Sequence, residues 1–223
     1  EGYGLHEQVL EKLREQGNRL IITIDCGISD SEQVRFAQQN GMDVIITDHH
    51  EVPDQLPPAY AVINPKRRDC TFPFKGLAGV GVAFNLLMAL RKSLRDQGFF
   101  NGTSAPNLRK YLDLVALGTI ADMVPLIDEN RILVKYGLHE LTHGDRTGIK
   151  ALKEVCGLSE STITSYLVAF RLAPRINAPG RLSQAIKSVE LLTTEDYTAA
   201  QKLALGLEKE NSQRQQLEAR IVR

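Results

Sequence analysis

Five side chains in this sequence could carry metal-dependent chemistry: Asp25 in "LIITIDCG", Asp48, His49 and His50 in "VIITDHH", and Asp122 in "ALGTIADMVPL". All follow apolar runs, where an ionisable group is costly unless something meets its charge. Carboxylate oxygens with imidazole nitrogens suit Mn²⁺ or Mg²⁺, and the imidazole tilts the choice toward Mn²⁺. No thiolate belongs to the group, which disfavours zinc. Each assignment has a plainer alternative: Asp25 as a helix cap, the histidine pair as a hydrogen-bonded loop, Asp122 as an acceptor for backbone N–H groups before Pro125.

Two other stretches suit phosphate. "KGLAGVGVAFNLL" sets Gly76, Gly79 and Gly81 ahead of a long apolar helix. Glycines there let backbone N–H groups at a helix N-terminus approach an anion, or merely let the helix pack closely. Their spacing is not the dinucleotide fingerprint. "RLAPRINAPGRL" crowds Arg171, Arg175 and Arg181 around Pro174, Pro179 and Gly180, on or beside a rigid loop. Arginine can grip phosphate oxygens two at a time, although pairing with a surface acid is its commoner use. Lys66, Arg67 and Arg68 in "NPKRRD" form a small basic patch.

The elements that position these groups follow from periodicity. "LHEQVLEKLREQG" has apolar residues at Leu5, Val9, Leu10 and Leu13, a helix ending at Gly17. "RLIITID" is an unbroken β-branched run, the pattern of a strand buried on both faces. "SDSEQVRFAQQNG" is a helix with Ser29 and Asp30 as capping candidates, "DVIITDHH" a second strand, and "AYAVINP" a third. In such a sheet, ligands bind beyond the carboxyl ends of the strands, where Asp25 and the Asp-His-His run stand. The later stretches, from "GVAFNLLMALRKSLRDQG" to "TITSYLVAFRLA", read as helices. A last helix begins near Asp196, polar on every face from Glu208 to Gln216 and suited to bridging domains through solvent. The fold class is therefore α/β: a parallel sheet with flanking helices, then a mainly helical half and a long C-terminal helix.

Composition narrows the function. Twenty-seven basic residues balance 27 acidic ones, so any polyanion site is local. Cys26, Cys70 and Cys156 are widely spaced, with no metal-finger pairing, and fit a reduced, cytoplasmic setting. No apolar run approaches the ~20 residues that cross a membrane, and no signal-peptide pattern opens the chain.

In this order, "TIDCG", "ITDHH", "GLAGVGVAF", "ALGTIADMVPL" and "RINAPGRL" resemble the DHH phosphoesterase superfamily, nearest to its exonucleases specific for single-stranded DNA. The resemblance implies a cytoplasmic hydrolase of DNA recombination and repair that releases mononucleotides from the 5′ end with two Mn²⁺ or Mg²⁺ ions. Its implied partners are single-stranded DNA, single-strand-binding protein and a helicase. It further implies Asp25, Asp48, His49 and Asp122 as metal ligands, and His50 as a supporting or phosphate-contacting group. Arg175, Asn177 and Arg181, with Gly79 and Gly81, become the substrate-binding candidates.

The family's first motif, two aspartates one residue apart, does not occur in these residues, and neither do its second core domain or its nucleic-acid-binding barrel. The expectation is a fragment: residues 1–195 a DHH domain, residues 196–223 the start of a connecting helix, and no appreciable activity in isolation. Alternatives are another DHH phosphoesterase, acting on oligoribonucleotides, cyclic dinucleotides or pyrophosphate, and a non-catalytic nucleic-acid-binding module.

Overall fold

A computed structural model of the chain describes residues 4–178 and 182–221. The chain divides into two compact units, Glu1–Leu108 with Asp122–Leu133, and Arg109–Ala121 with Val134–Arg223.

In the first unit, helix α1 (Glu7–Glu15) leads into strand β1 (Leu20–Ile24), helix α2 (Ser31–Gln39), strand β2 (Asp43–Thr47), strand β3 (Ala61–Ile63) and helix α3 (Gly79–Asp96). The strands pair in parallel in the order β1-β2-β3, with Ile22 opposite Ile45 and Ile46 opposite Val62. Because side chains alternate across a strand, Val44 and Ile46 point together into a core shared with Leu10, Val34, Ala37 and Met42. Burying each large apolar side chain contributes about 1.5–3 kcal/mol.

Two expectations change here. β1 is not buried on both faces: Leu20, Ile22 and Ile24 remain 51%, 48% and 57% exposed, whereas Thr23 on the opposite face is buried. β1 is an edge strand among the described residues, with one face turned to the α1 and α2 layer, and a continuous apolar run cannot report how many neighbours a strand has. Asp30 stands at the N-cap of α2 yet makes no capping bond. Its carboxylate instead accepts the Leu5 N–H at 2.7 Å, tying the segment before α1 to the start of α2.

The second unit is helical. It contains α4 (Leu112–Ala121), the greater part of α5 (Asp128–His143), α6 (Thr147–Val155), α7 (Ser165–Leu167), α8 (Ala173–Ile176), α9 (Leu182–Thr193) and α10 (Tyr197–Ile221). Its core gathers Leu117, Leu141, Leu152, Val168, Leu172, Leu191, Ala204 and Leu207, among others. Gly148 lets α6 touch α9, since a methyl group there would lie 1.7 Å from the Leu191 carbonyl oxygen.

The single helix expected over "TITSYLVAFRLA" is broken by a π-helical turn at Val168–Leu172. Pro174 at the start of α8 cannot donate a backbone bond, and widening the preceding turn accommodates it. The stretch of α10 that is polar on every face is not wholly in solvent, because Asn211 is 1% exposed and Glu210 pairs with Lys187 at 2.8 Å. Among the described residues no helix is long and apolar enough to cross a membrane.

Candidate metal centre

β1 and β2 end side by side, and their ends build the centre. The Asp25 N–H donates to the Thr47 carbonyl at 2.9 Å, one last rung of the ladder. The backbone at Asp25 then enters the left-handed region at φ 65°. That conformation is uncommon for a residue with a side chain, although aspartate tolerates it better than most. The Thr23 hydroxyl donates to the Cys26 carbonyl at 2.7 Å and fixes the turn that follows.

After β2, Asp48 is 1% exposed and organises the loop. One of its oxygens accepts the His49 N–H at 2.7 Å, the His50 N–H at 3.2 Å and the His50 ring Nδ1 at 2.7 Å. The other accepts the Ile28 N–H at 3.0 Å. Burial alone would raise the Asp48 carboxyl, but the His50 ring and the N–H groups of Ile28, His50 and His49 hold it below the usual carboxylate range. Asp48 was expected as a metal ligand; the structure shows both of its oxygens accepting hydrogen bonds from the loop around it. Its oxygens are enclosed and engaged by four donors, so it aims the two histidines.

His49 is buried, with Nε2 3.0 Å from an Asp25 oxygen and 3.5 Å from an Asp122 oxygen. The bond to Asp25 outweighs burial and, with the charges of Asp122, Asp25 and Asp48, holds His49 above the usual imidazole value. Burial pushes the Asp122 carboxyl up; the charge of His49 opposes this and that of Asp25 adds to it. Asp25, His49 and His50 each bring a ligating atom within 4.8 Å of the others. His50, expected in a supporting role, stands within this group while its Nδ1 is held by Asp48.

Two carboxylates converging on one buried imidazole make a donor set that a divalent cation fits. The neighbouring thiol does not compete: burial, then the charges of Asp48, Asp30 and Asp25, push Cys26 up and keep it protonated.

Gly79 and Gly81 lie in the first turn of α3, and both are buried. Gly79 faces Asp25 directly, since a Cβ there would fall 2.2 Å from its Oδ1. At Gly81 a Cβ would meet the Leu77 side chain at 3.2 Å. The 18-residue helix α3 thus directs its positive end toward the centre.

The arginine expectation is corrected in part. Arg175 lies within α8, 8% exposed, and its guanidinium is paired with Glu208. It therefore stands on no open loop, and sequence proximity to prolines gave no sign of the acid that claims it. Arg171 donates to the Cys156 carbonyl at 2.6 Å. Asn177, just beyond α8, is exposed, and Arg181 lies outside the described residues. Lys66, Arg67 and Arg68 pair with Glu51, Asp69 and Asp54 at 2.7, 2.6 and 3.1 Å, so the small basic patch is neutralised locally. A supporting residue missed in the sequence is Asn64, whose amide donates to the His50 carbonyl at 3.0 Å. An asparagine directly after a strand was the available signal.

A sequence model of the DHH family, N-terminal domain, matches residues 4–119. That is more than half of the chain, and the chain belongs to the DHH family. Among individual relatives, it is 47% identical over 221 residues to the single-stranded-DNA-specific exonuclease RecJ of Escherichia coli (strain K12), covering 98% of this chain and 38% of that protein. It is 41% identical over 225 residues to RecJ of Thermus thermophilus, covering 100% of this chain and 31% of that protein. The chain thus spans less than two fifths of the length of these relatives. A crystal structure of exonuclease RecJ bound to manganese superposes with a TM-score of 0.84 at 38% identity, covering 99% of this chain and 53% of that one. The crystal structure of RecJ from Thermus thermophilus in complex with Mn²⁺ gives 0.79 at 39% identity, over 95% of this chain and 31% of that one.

Proposed function

We propose that this chain supplies much of the metal centre of a 5′-to-3′ exonuclease acting on single-stranded DNA and releasing mononucleotides by two-metal hydrolysis. The observation that carries the reading is the convergence of Asp25, His49 and His50, with Asp122 beside His49, at the ends of two parallel strands. Relatives named single-stranded-DNA-specific exonuclease RecJ, and crystal structures of RecJ holding Mn²⁺, support it.

Asp25, His49, His50 and Asp122 are the proposed ligands. When bound, Mn²⁺ or Mg²⁺ supplies the positive charge that stabilises a phosphoryl transition state and acidifies an attacking water. The chain's own residues do the positioning. Asp48 locks His50 through Nδ1 and fixes the backbone of both histidines. Asn64 holds the His50 carbonyl, and the first turn of α3 offers a positive helix end to an anionic substrate. Asn177 and Arg181 remain the proposed backbone contacts to DNA.

By the same reading, residues 1–195 form the DHH domain and residues 196–223 begin a helix leading to a further domain. The parent acts in the cytoplasm in recombination and repair, alongside single-strand-binding protein and a helicase. The test is calorimetric titration of this chain with Mn²⁺, together with nucleotide release from 5′-labelled single-stranded DNA by the full-length parent. Asp122→Ala should abolish release in the parent while leaving DNA binding largely intact, since phosphate contacts supply most of the affinity. Near-normal turnover by that variant would overturn the assignment.

A further inference from the structure

Beside the metal centre, within the same unit, lies a cleft of about 370 Å³ whose lining includes Ile63, Phe72, Leu77, Val82 and Asn85. Two bonds join its wall to the histidine loop: Asn64, which lines it, donates to the His50 carbonyl at 3.0 Å, and the Ile63 carbonyl accepts the Asp48 N–H at 3.0 Å. The volume is at the lower end of the roughly 300–1,000 Å³ typical of small-molecule sites. It suits one compact ring system with a sugar rather than a longer piece of chain.

The lining also decides the chemistry of the occupant. Arg67 is neutralised by Asp69 at 2.6 Å, and the Asn64 amide is committed at both ends, to the His50 carbonyl and to the Lys66 N–H at 2.8 Å. The remaining surface is apolar and aromatic, apart from Cys70 and the neutral polar groups of Thr71 and Asn85. Such a surface repels a phosphate, whose desolvation it cannot offset, and accepts a flat, neutral heterocycle. Charge therefore separates the two neighbouring sites: the carboxylate and imidazole cluster takes a cation and with it a phosphate, and the cleft takes what a nucleotide carries at its other end.

We infer that this cleft is a nucleobase subsite, seating the base of the nucleotide whose phosphate meets the metal centre, with Phe72 and Asn85 as its recognition residues. The inference rests on the nuclease reading for the phosphate and on the cleft itself for the base. With one amide and one hydroxyl to offer, the cleft reads little of the base edge and holds all four bases comparably.

The chain contains no tryptophan, so Phe72→Trp places a single reporter in the cleft. Without metal, thymidine should change its emission saturably, while 2-deoxyribose should not. Asn85→Phe, which projects a ring into the cleft from the half-buried face of α3, should abolish the response. Phe72→Ala, which enlarges the cleft instead of filling it, should weaken thymidine binding in a separate calorimetric titration. Both variants are to be compared with the unaltered chain by circular dichroism melting, so that loss of fold is not read as loss of binding.

In Mn²⁺, deoxythymidine monophosphate should bind the unaltered chain about tenfold more tightly than 2-deoxyribose 5-phosphate, ~1.4 kcal/mol of difference, and Asn85→Phe should erase that margin. No emission change with thymidine, or equal affinity for the two phosphates in the unaltered chain, overturns the subsite. A thymidine response without binding of either phosphate leaves the nucleoside cleft standing and removes the nuclease reading instead.

Discussion

The Asp25 carboxylate rests against the backbone of Gly79, so closely that a methyl group on that glycine would overlap Oδ1 at 2.2 Å. The glycine admits the side chain of Asp25, a proposed ligand, against the first turn of α3. Gly79→Ala should therefore push Asp25 away from His49 and weaken Mn²⁺ binding at least about tenfold, ~1.4 kcal/mol. Gly81→Ala meets only the flexible end of Leu77 and should bind nearly as the unaltered chain does. Calorimetry on the two variants makes the comparison, and equal losses would show that the helix, rather than the contact with Asp25, is what the glycines serve.

Asp48 should behave as the organiser of the loop. Its carboxyl is held below the ordinary range by His50 and three backbone donors acting against burial. A depressed carboxyl contributes stability that is present above its unfolded value of about 3.9 and is lost as pH falls through the folded value. Asp48→Asn should cost about 2 kcal/mol or more at pH 7, because a buried amide donates where the loop needs an acceptor. Melting curves of the two proteins should draw together below about pH 4. A gap that stays constant down to pH 3 would mean that the charge of Asp48 contributes nothing.

The acids at the strand ends were legible because an apolar β-branched run announces both where a parallel strand lies and where it stops, and groups just past its carboxyl end share one edge. Asp25, His49, His50 and Asp122 do converge. What stayed hidden depends on partners distant in sequence. The need for Gly79 comes from Asp25, 54 positions away, and Arg175 is claimed by Glu208 on α10. The exposure of Leu20, Ile22 and Ile24 reflects the number of neighbours around β1, which no local pattern encodes. The break before Pro174 was missed too, although Pro174 just past the expected helix was the available signal, since it cannot donate the bond that a continuing helix needs.

His49 sets the pH dependence. Asp25 holds its imidazole above the ordinary value near 6.5. A raised base contributes stability that is fully present below that unfolded value and is lost as pH rises through the folded one. In metal-free protein, the destabilisation caused by His49→Asn should accordingly be larger at pH 6 than at pH 9. Mn²⁺ competes with the proton for the same nitrogen, so metal affinity should rise with pH over that interval and flatten once His49 is neutral. Titrations at half-unit steps, in parallel with melting, read both trends, and a pH-independent Mn²⁺ affinity would exclude His49 as a ligand.

The pairing of Arg175 with Glu208 changes what an arginine substitution should report. Both side chains are largely withdrawn from solvent, 10% and 31% exposed, and the pair links α8 to α10. Removing Arg175 leaves Glu208 without its partner but 31% exposed, so the cost falls below the ~3–5 kcal/mol of a fully buried pair. Arg175→Ala should therefore lower the melting temperature, and Arg175→Lys should recover only part of the loss, because an ammonium cannot reach Glu208 and the Arg171 carbonyl together as the planar guanidinium does. The double variant Arg175→Met with Glu208→Leu should melt above either single substitution, since it leaves no stranded charge. If Arg175 met DNA phosphates, its loss would lower the salt dependence of single-strand binding in protein that remains folded. The expected outcome is an unchanged salt slope in the double variant, measured by fluorescence anisotropy at several salt concentrations below its melting point. A slope reduced by about one unit, with stability little altered, would return Arg175 to the DNA-contacting role.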